Sequence, residues 1–181
     1  MNWIVTTVDG KIASIAGDYR HFAAIAKAVA AASPDAFGEI STRKISTEDL
    51  LALASSLKWE DLRLFGTDFQ KKVWKTLFGL THSAEPPRLM SYTEFAELCG
   101  NPQGVRPVAH AVAINPVSVV IPCHLIVPKE AMDRAAEIRS TALRTTLFKG
   151  ADLYLLDTVD VGDYAWGPDV KREMIKRSLS A

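Results

Sequence analysis

Cys123 and His124 stand side by side in "VSVVIPCHLIVPK" (residues 117–129), a thiol and an imidazole that could share a proton. A cysteine becomes a good nucleophile when a base or positive surroundings favour its thiolate. A histidine acting as that base needs a third group to orient it. Adjacency alone decides nothing. Neighbouring residues of an extended chain point to opposite faces, and free cysteine is among the most buried residue types. Cys123 is therefore either a nucleophile or a core residue. The other histidines, His21, His82 and His110, make no H-x-x-x-H spacing with it, and Cys99 and Cys123 form no C-x-x-C. Neither a metal nor a cofactor is expected, because no ligand spacing of a zinc site and no glycine-rich phosphate loop is present.

The elements that must position these residues belong to a chain of 181 residues, 48% hydrophobic and 23% charged, with a formal net charge of zero. That is ordinary globular usage for one domain or two small ones. Two cysteines are too few for a disulfide framework, which points to a reducing, cytoplasmic setting. "MNWIVTTVDGK" has no basic stretch before a long apolar run, so no signal peptide is expected, and no apolar stretch approaches a membrane span. With no net positive charge, any nucleic-acid contact must come from a local surface.

The first part reads as a small α/β unit. Asp9-Gly10 between two β-rich runs is a hairpin signal. "DYRHFAAIAKAVAAAS" follows as a helix with Phe22, Ile25 and Val29 on one face and Asp18 as its N-cap, and "STRKIS" reads as a loop before a short helix. From Thr67 the signals sharpen. Thr67 with Gln70 and Ser91 with Glu94 are two capping boxes. The first opens a helix with Phe69, Val73, Trp74 and Leu77 on one face, and Gly100 stops the second. "VRPVAHAVAI" is a further helix, with Pro107 tolerated in its first turn. Two short helices around a glycine-containing turn suggest a helix-turn-helix. "NPVSVVI" then reads as a turn and a short strand that delivers Cys123. The fold class expected is an α/β N-terminal domain (1–64) and a mainly helical C-terminal domain (65–181), with the helix-turn-helix and that strand in the second.

Residues 65–128 resemble the active-site domain of the O6-alkylguanine-DNA alkyltransferases. The likeness rests on "FGTDFQKKVW", "SYTEFAELCGNP", "GVRPVAHAVAINPVSVVIPCH" and, further on, "GDYAWG". It implies a DNA repair protein whose helix-turn-helix enters the minor groove and whose target guanine is flipped into a pocket, at a cost of about a few kcal/mol of unstacking. In that family's pattern Cys123 matches the acceptor of the alkyl group, His124 the water-linked base, Tyr164 the pocket tyrosine and Asn115 the asparagine that braces the recognition helix. Arg106 matches the arginine that fills the vacated stack and Tyr92 the tyrosine that presses the phosphate. Pro107, Ala109, His110 and Ala113 fall on the groove-facing helix. The partner implied is double-stranded DNA bearing O6-alkylguanine, met by a monomer that acts once per molecule because alkylcysteine is not regenerated.

Three departures stand against that pattern. Leu125 follows Cys-His where the family has arginine. Residues 129–156 read as an insertion. Ser178 lies seven residues after Lys171, where the family has the glutamate that orients the histidine. Glu130, Asp133 and Glu137 of the insertion are candidates to replace that carboxylate. Two other readings therefore stand beside alkyl transfer: a lesion-binding protein that does not transfer, and a DNA-binding regulator that uses the helix-turn-helix alone.

Overall fold

The computed structural model describes residues 1–32, 38–142 and 156–180. They form two compact units: Met1–His82 with Ile114–Cys123, and Ser83–Ala113 with His124–Ala181. These units are defined by contact, whereas the division into 1–64 and 65–181 is drawn on sequence; α3, described below, lies in the first unit.

In the first unit, β1 (Asn2–Val8) and β2 (Lys11–Ala16) form an antiparallel hairpin closed by Asp9 and Gly10. Both turn residues have positive φ, 50° and 76°, as a two-residue type I′ turn requires. β3 (Ile40–Ser46) pairs along the other edge of β1, giving the order β2-β1-β3. This corrects the loop expected for "STRKIS". Ser41 to Lys44 are all exposed, so the segment lacks the alternation of a half-buried strand. Its pairing comes from the β1 ladder, and Arg43 and Lys44 suit an exposed edge. Trp3 and Val5 are fully buried, with the Trp3 indole donating to Thr47 Oγ1 at 3.1 Å.

α1 (Phe22–Ala32) begins four residues beyond Asp18, which is therefore not its N-cap. The Asp18 carboxylate instead accepts from the Arg20 backbone and guanidinium, at 2.9 and 2.8 Å, and this holds its pKa down to about 2. Ile25 and Val29 pack with Val8 and Ala13, while Phe22 is exposed. α2 (Thr47–Ser56) and α3 (Asp68–Gly79) both start at capping boxes, Ser46/Asp49 and Thr67/Gln70. On α3 the expected face is buried at Val73, Trp74 and Leu77 and leaves Phe69 at the rim.

The second unit holds β4 (Met90–Ser91), α4 (Tyr92–Leu98), α5 (Val105–Ala113), β5 (Ile126–Val127), α6 (Lys129–Ala142) and α7 (Pro168–Leu179). β4 and β5 run parallel. α6 covers the first half of the expected insertion, with exposed Lys129–Asp133 and Arg134–Glu137 ion pairs along its surface. Residues 143–155 of the insertion lie outside the described residues. Its return is fastened to α7: Arg172 donates to the carbonyls of Leu156 and Val159, and Lys176 to the Asp157 carboxylate. Val127, Ala131, Leu156, Val159, Val161 and Ile175 form the core beneath. Among the described residues no helix is long and apolar enough to cross a membrane.

Candidate DNA-facing helix and cysteine site

Asn115 organises the approach to Cys123. Its side chain is buried, and its Oδ1 accepts from the Val117 amide at 3.0 Å. Its Nδ2 donates to the Ile121 carbonyl at 2.8 Å and to Cys123 Sγ at 3.1 Å. One amide thus closes the segment between residues 115 and 123 on itself. The short strand expected for "VSVVI" is reduced to a bridge between Val117 and Ile15 and one between Ser118 and Ile121. Val119 has φ 73°, a left-handed conformation that is a strained outlier for a β-branched residue. β-branched propensity favours a strand here, but the three bonds to one buried side chain outweigh it. Cys123 is partly exposed, whereas Cys99 is buried at the end of α4. An N–H aimed at sulfur is accepted more strongly by thiolate than by thiol, so the Asn115 contact favours a nucleophile at the reachable cysteine.

His124 is 1% exposed. Its Nε2 lies 2.8 Å from Ser178 Oγ, and its Nδ1 is buried with no hydrogen-bond partner. Burial, and then the charge of Lys171, push its pKa down to about 3. Lys171, Met174, Ile175 and Ser178 follow the spacing of one face of α7, which brings Ser178 to the ring. Lys171 is itself buried, its ammonium donating to the Asp163 carbonyl at 3.4 Å. Among the described residues no carboxylate takes the place of the glutamate that the resemblance implies. Asp133 pairs with Lys129, Glu137 with Arg134 and Glu173 with Arg177, and neither these nor Glu130 hydrogen-bonds His124. The substitution expected from the insertion is not realised by its described part. Leu125 is fully buried, so the position that departs from arginine is packed as core.

Tyr164 sits in the turn before α7, with its hydroxyl buried and its carbonyl accepting from Gly167 at 3.0 Å. Tyr92 is the first residue of α4, directly after the capping box in which Ser91 and Glu94 bond reciprocally. α4 ends on Gly100 at φ 72°, with Gly100 N–H on the Glu97 carbonyl and Asn101 N–H on that of Ala96. This is the Schellman pattern, and it turns the chain into α5. On α5, Val108, Ala111 and Val112 are buried. Arg106, Pro107, His110 and Ala113 are exposed, with Ala109 half-buried. Arg106, His110 and Ala113 follow i, i+4, i+7 spacing and share one face. The small residues let a backbone approach closely, and Arg106 makes no hydrogen bond or ion pair among the described residues.

Residues predicted for one site thus fall into local groups: Asn115 with Cys123, His124 with Ser178 and Lys171, and the exposed face of α5, with Tyr92 at the start of α4. Lys171 was not among the residues singled out for chemistry. Its seven-residue spacing from Ser178 was the available signal, since it puts both on one helix face.

Residues 68–141 match the family described as "6-O-methylguanine DNA methyltransferase, DNA binding domain". α3, the α4–α5 pair, Asn115, Cys123 and His124 all lie inside this stretch. A probable methylated-DNA–protein-cysteine methyltransferase of Acanthamoeba polyphaga mimivirus is 41% identical over 69 residues, covering 38% of this chain and 44% of that protein. The methylated-DNA–protein-cysteine methyltransferase of Kluyveromyces lactis is 47% identical over 64 residues, covering 35% and 32%. The chain therefore spans less than half the length of these relatives. Among solved structures, the O6-methylguanine-DNA methyltransferase of Pyrococcus kodakaraensis aligns over 98% of this chain and 91% of its own, with TM-score 0.56 and 19% identity. This chain thus shares the fold of that structure, with an α/β N-terminal part and a helical C-terminal part.

Proposed function

We propose that the protein repairs DNA by flipping O6-alkylguanine out of the duplex and transferring the alkyl group irreversibly to Cys123. The observation that carries this is the hydrogen bond from Asn115 to a partly exposed Cys123 inside the matched methyltransferase domain. Here residues 1–64 serve as the N-terminal domain and 65–181 as the active-site domain, carrying the insertion 129–156. Arg106 takes the place of the extruded base, and Tyr92 turns the phosphate. Pro107, Ala109, His110 and Ala113 line the groove. Tyr164 receives the guanine, His124 serves the thiol, and Asn115 braces the helix against the site. The protein acts as a monomer in the cytoplasm, on double-stranded DNA, without cofactor.

A second reading is favoured by one observation: the His124 partner is a neutral hydroxyl. In a serine-protease triad, losing the charge of the orienting carboxylate costs about 10⁴ in rate. A site so weakened binds the lesion without transferring its alkyl group. Incubation with a duplex containing O6-methylguanine, followed by intact-mass measurement and peptide mapping, separates the readings. A gain of one methyl group on Cys123, abolished by Cys123→Ala, is the expected result. Lesion-selective binding without a mass change supports the second reading, and binding that ignores the lesion leaves a DNA-binding regulator.

A further inference from the structure

Three facts meet at His124: Ser178 Oγ lies 2.8 Å from Nε2, and among the described residues Nδ1 is buried without a partner and no carboxylate hydrogen-bonds the ring. The bond to Ser178 admits two arrangements. Either the hydroxyl donates and the ring proton sits on Nδ1, or Nε2–H donates and Nδ1 is a bare lone pair. The first would bury an orphaned N–H donor, the second only an unfilled acceptor, and orphaned donors are the rarer of the two in folded proteins. The second arrangement is therefore favoured on hydrogen-bonding grounds alone. It is also the one a glutamate at this position would enforce, since a carboxylate can only accept.

We propose that Ser178 is a positioning residue that accepts the Nε2 proton of His124, fixing the ring with a bare Nδ1 and so serving alkyl transfer by tautomer selection, without a charged partner. The proposal rests on the alkyl-transfer reading. The balance of that reaction allows it. The Cys123 S–H bond breaks and an S–C bond to the alkyl carbon forms. The C–O6 bond breaks, and the proton ends on N1 of the restored guanine. No proton is gained or lost overall, so none has to be stored on the imidazole. Burial and Lys171, which oppose a charged ring, are then compatible with the chemistry. The seven-residue step from Lys171 to Ser178 places both on the buried face of α7, while Glu173 accepts from Arg177 on the exposed side.

The test has two readouts, applied to the full chain and to its Ser178→Ala, Ser178→Thr and Cys123→Ala variants. The first is the tautomer of His124, read from ¹⁵N chemical shifts of histidine-labelled protein. The second is the single-turnover rate of methyl transfer from an O6-methylguanine duplex. Expected are an Nε2–H ring in the unsubstituted protein, a shift toward mixed tautomers in Ser178→Ala, and recovery in Ser178→Thr. The transfer rate should fall by about tenfold in Ser178→Ala, the effect of one hydrogen bond, and recover with threonine. An Nδ1–H ring in the unsubstituted protein overturns the proposal. So does a rate loss in Ser178→Ala with the tautomer unchanged, since that marks a merely structural role. A complete absence of transfer onto Cys123 overturns the alkyl-transfer reading instead, and the ¹⁵N shifts still decide whether Ser178 sets the tautomer.

Discussion

Replacing Asn115 tests the cysteine loop and the nucleophile together. Asn115→Ala removes three hydrogen bonds at once. The Val117 N–H, of a buried residue, is left without a partner, whereas the Ile121 carbonyl keeps the Cys123 N–H at 2.8 Å. One unsatisfied buried group costs about 1–3 kcal/mol, so the variant should lose about that much stability. At about 2–4 °C per kcal/mol for a chain of this size, Tm should fall by roughly 2–12 °C. Asn115→Asp is the sharper probe. It keeps the acceptor for Val117 but loses both donors and sets a carboxylate beside the sulfur, which disfavours the thiolate. Its alkylation by iodoacetamide at neutral pH should slow by at least about tenfold, the worth of a charge-assisted hydrogen bond. Intact mass after timed exposure, with peptide mapping, reads the rate at Cys123, and buried Cys99 serves as the unreactive internal comparison. An Asn115→Asp protein that reacts as fast as the unsubstituted one, at unchanged Tm, would refute the reasoning. The amide–sulfur contact would then have no chemical consequence.

Three further outcomes follow from the described geometry. The folded protein holds His124 neutral down to about pH 3, whereas an unfolded histidine takes up a proton below about pH 6.5. The unfolded state thus binds the extra proton in that window, so stability falls as pH drops from 6.5, by about 2 kcal/mol at pH 5; urea midpoints should show this loss, and His124→Gln should reduce it. Ser91→Ala removes the cap that accepts from Glu94 N–H and should cost about 1 kcal/mol, as should Gly100→Ala at φ 72°; both are read by denaturant titration. Arg106→Ala, on the exposed face of α5, should weaken binding to an O6-methylguanine duplex by about tenfold, a cost in the range of one lost side-chain contact at a DNA interface, while leaving iodoacetamide reactivity of Cys123 unchanged.

Local chemistry was legible in the sequence wherever neighbours on the chain also interact. The Asp9-Gly10 hairpin, the capping boxes at Thr67 and Ser91 and the glycine stop at Gly100 each depend on residues a few positions apart. β3 was not legible, because Ser41 to Lys44 are exposed and only pairing with β1, more than thirty residues earlier, makes them a strand. Asp18 misled because a cap and a side-chain bond to Arg20 use the same carboxylate. "VSVVI" misled because β-branched residues report strand preference, while the buried Asn115 amide decides the backbone. Ser178 is legible from its seven-residue spacing after Lys171, but that no carboxylate among the described residues hydrogen-bonds His124 is visible only in the structure.

The fastening of residues 156–159 to α7 has a consequence for evolution and for engineering. Arg172 grips two backbone carbonyls and Lys176 a carboxylate, so the chain re-enters the core at a fixed point. A change at Arg172 or Lys176 would loosen this clasp and, through α7, the Ser178 hydroxyl that bonds His124. Inherited variation at these two positions would therefore adjust the ring from a distance, and an engineer wishing to alter its support without touching it would start there.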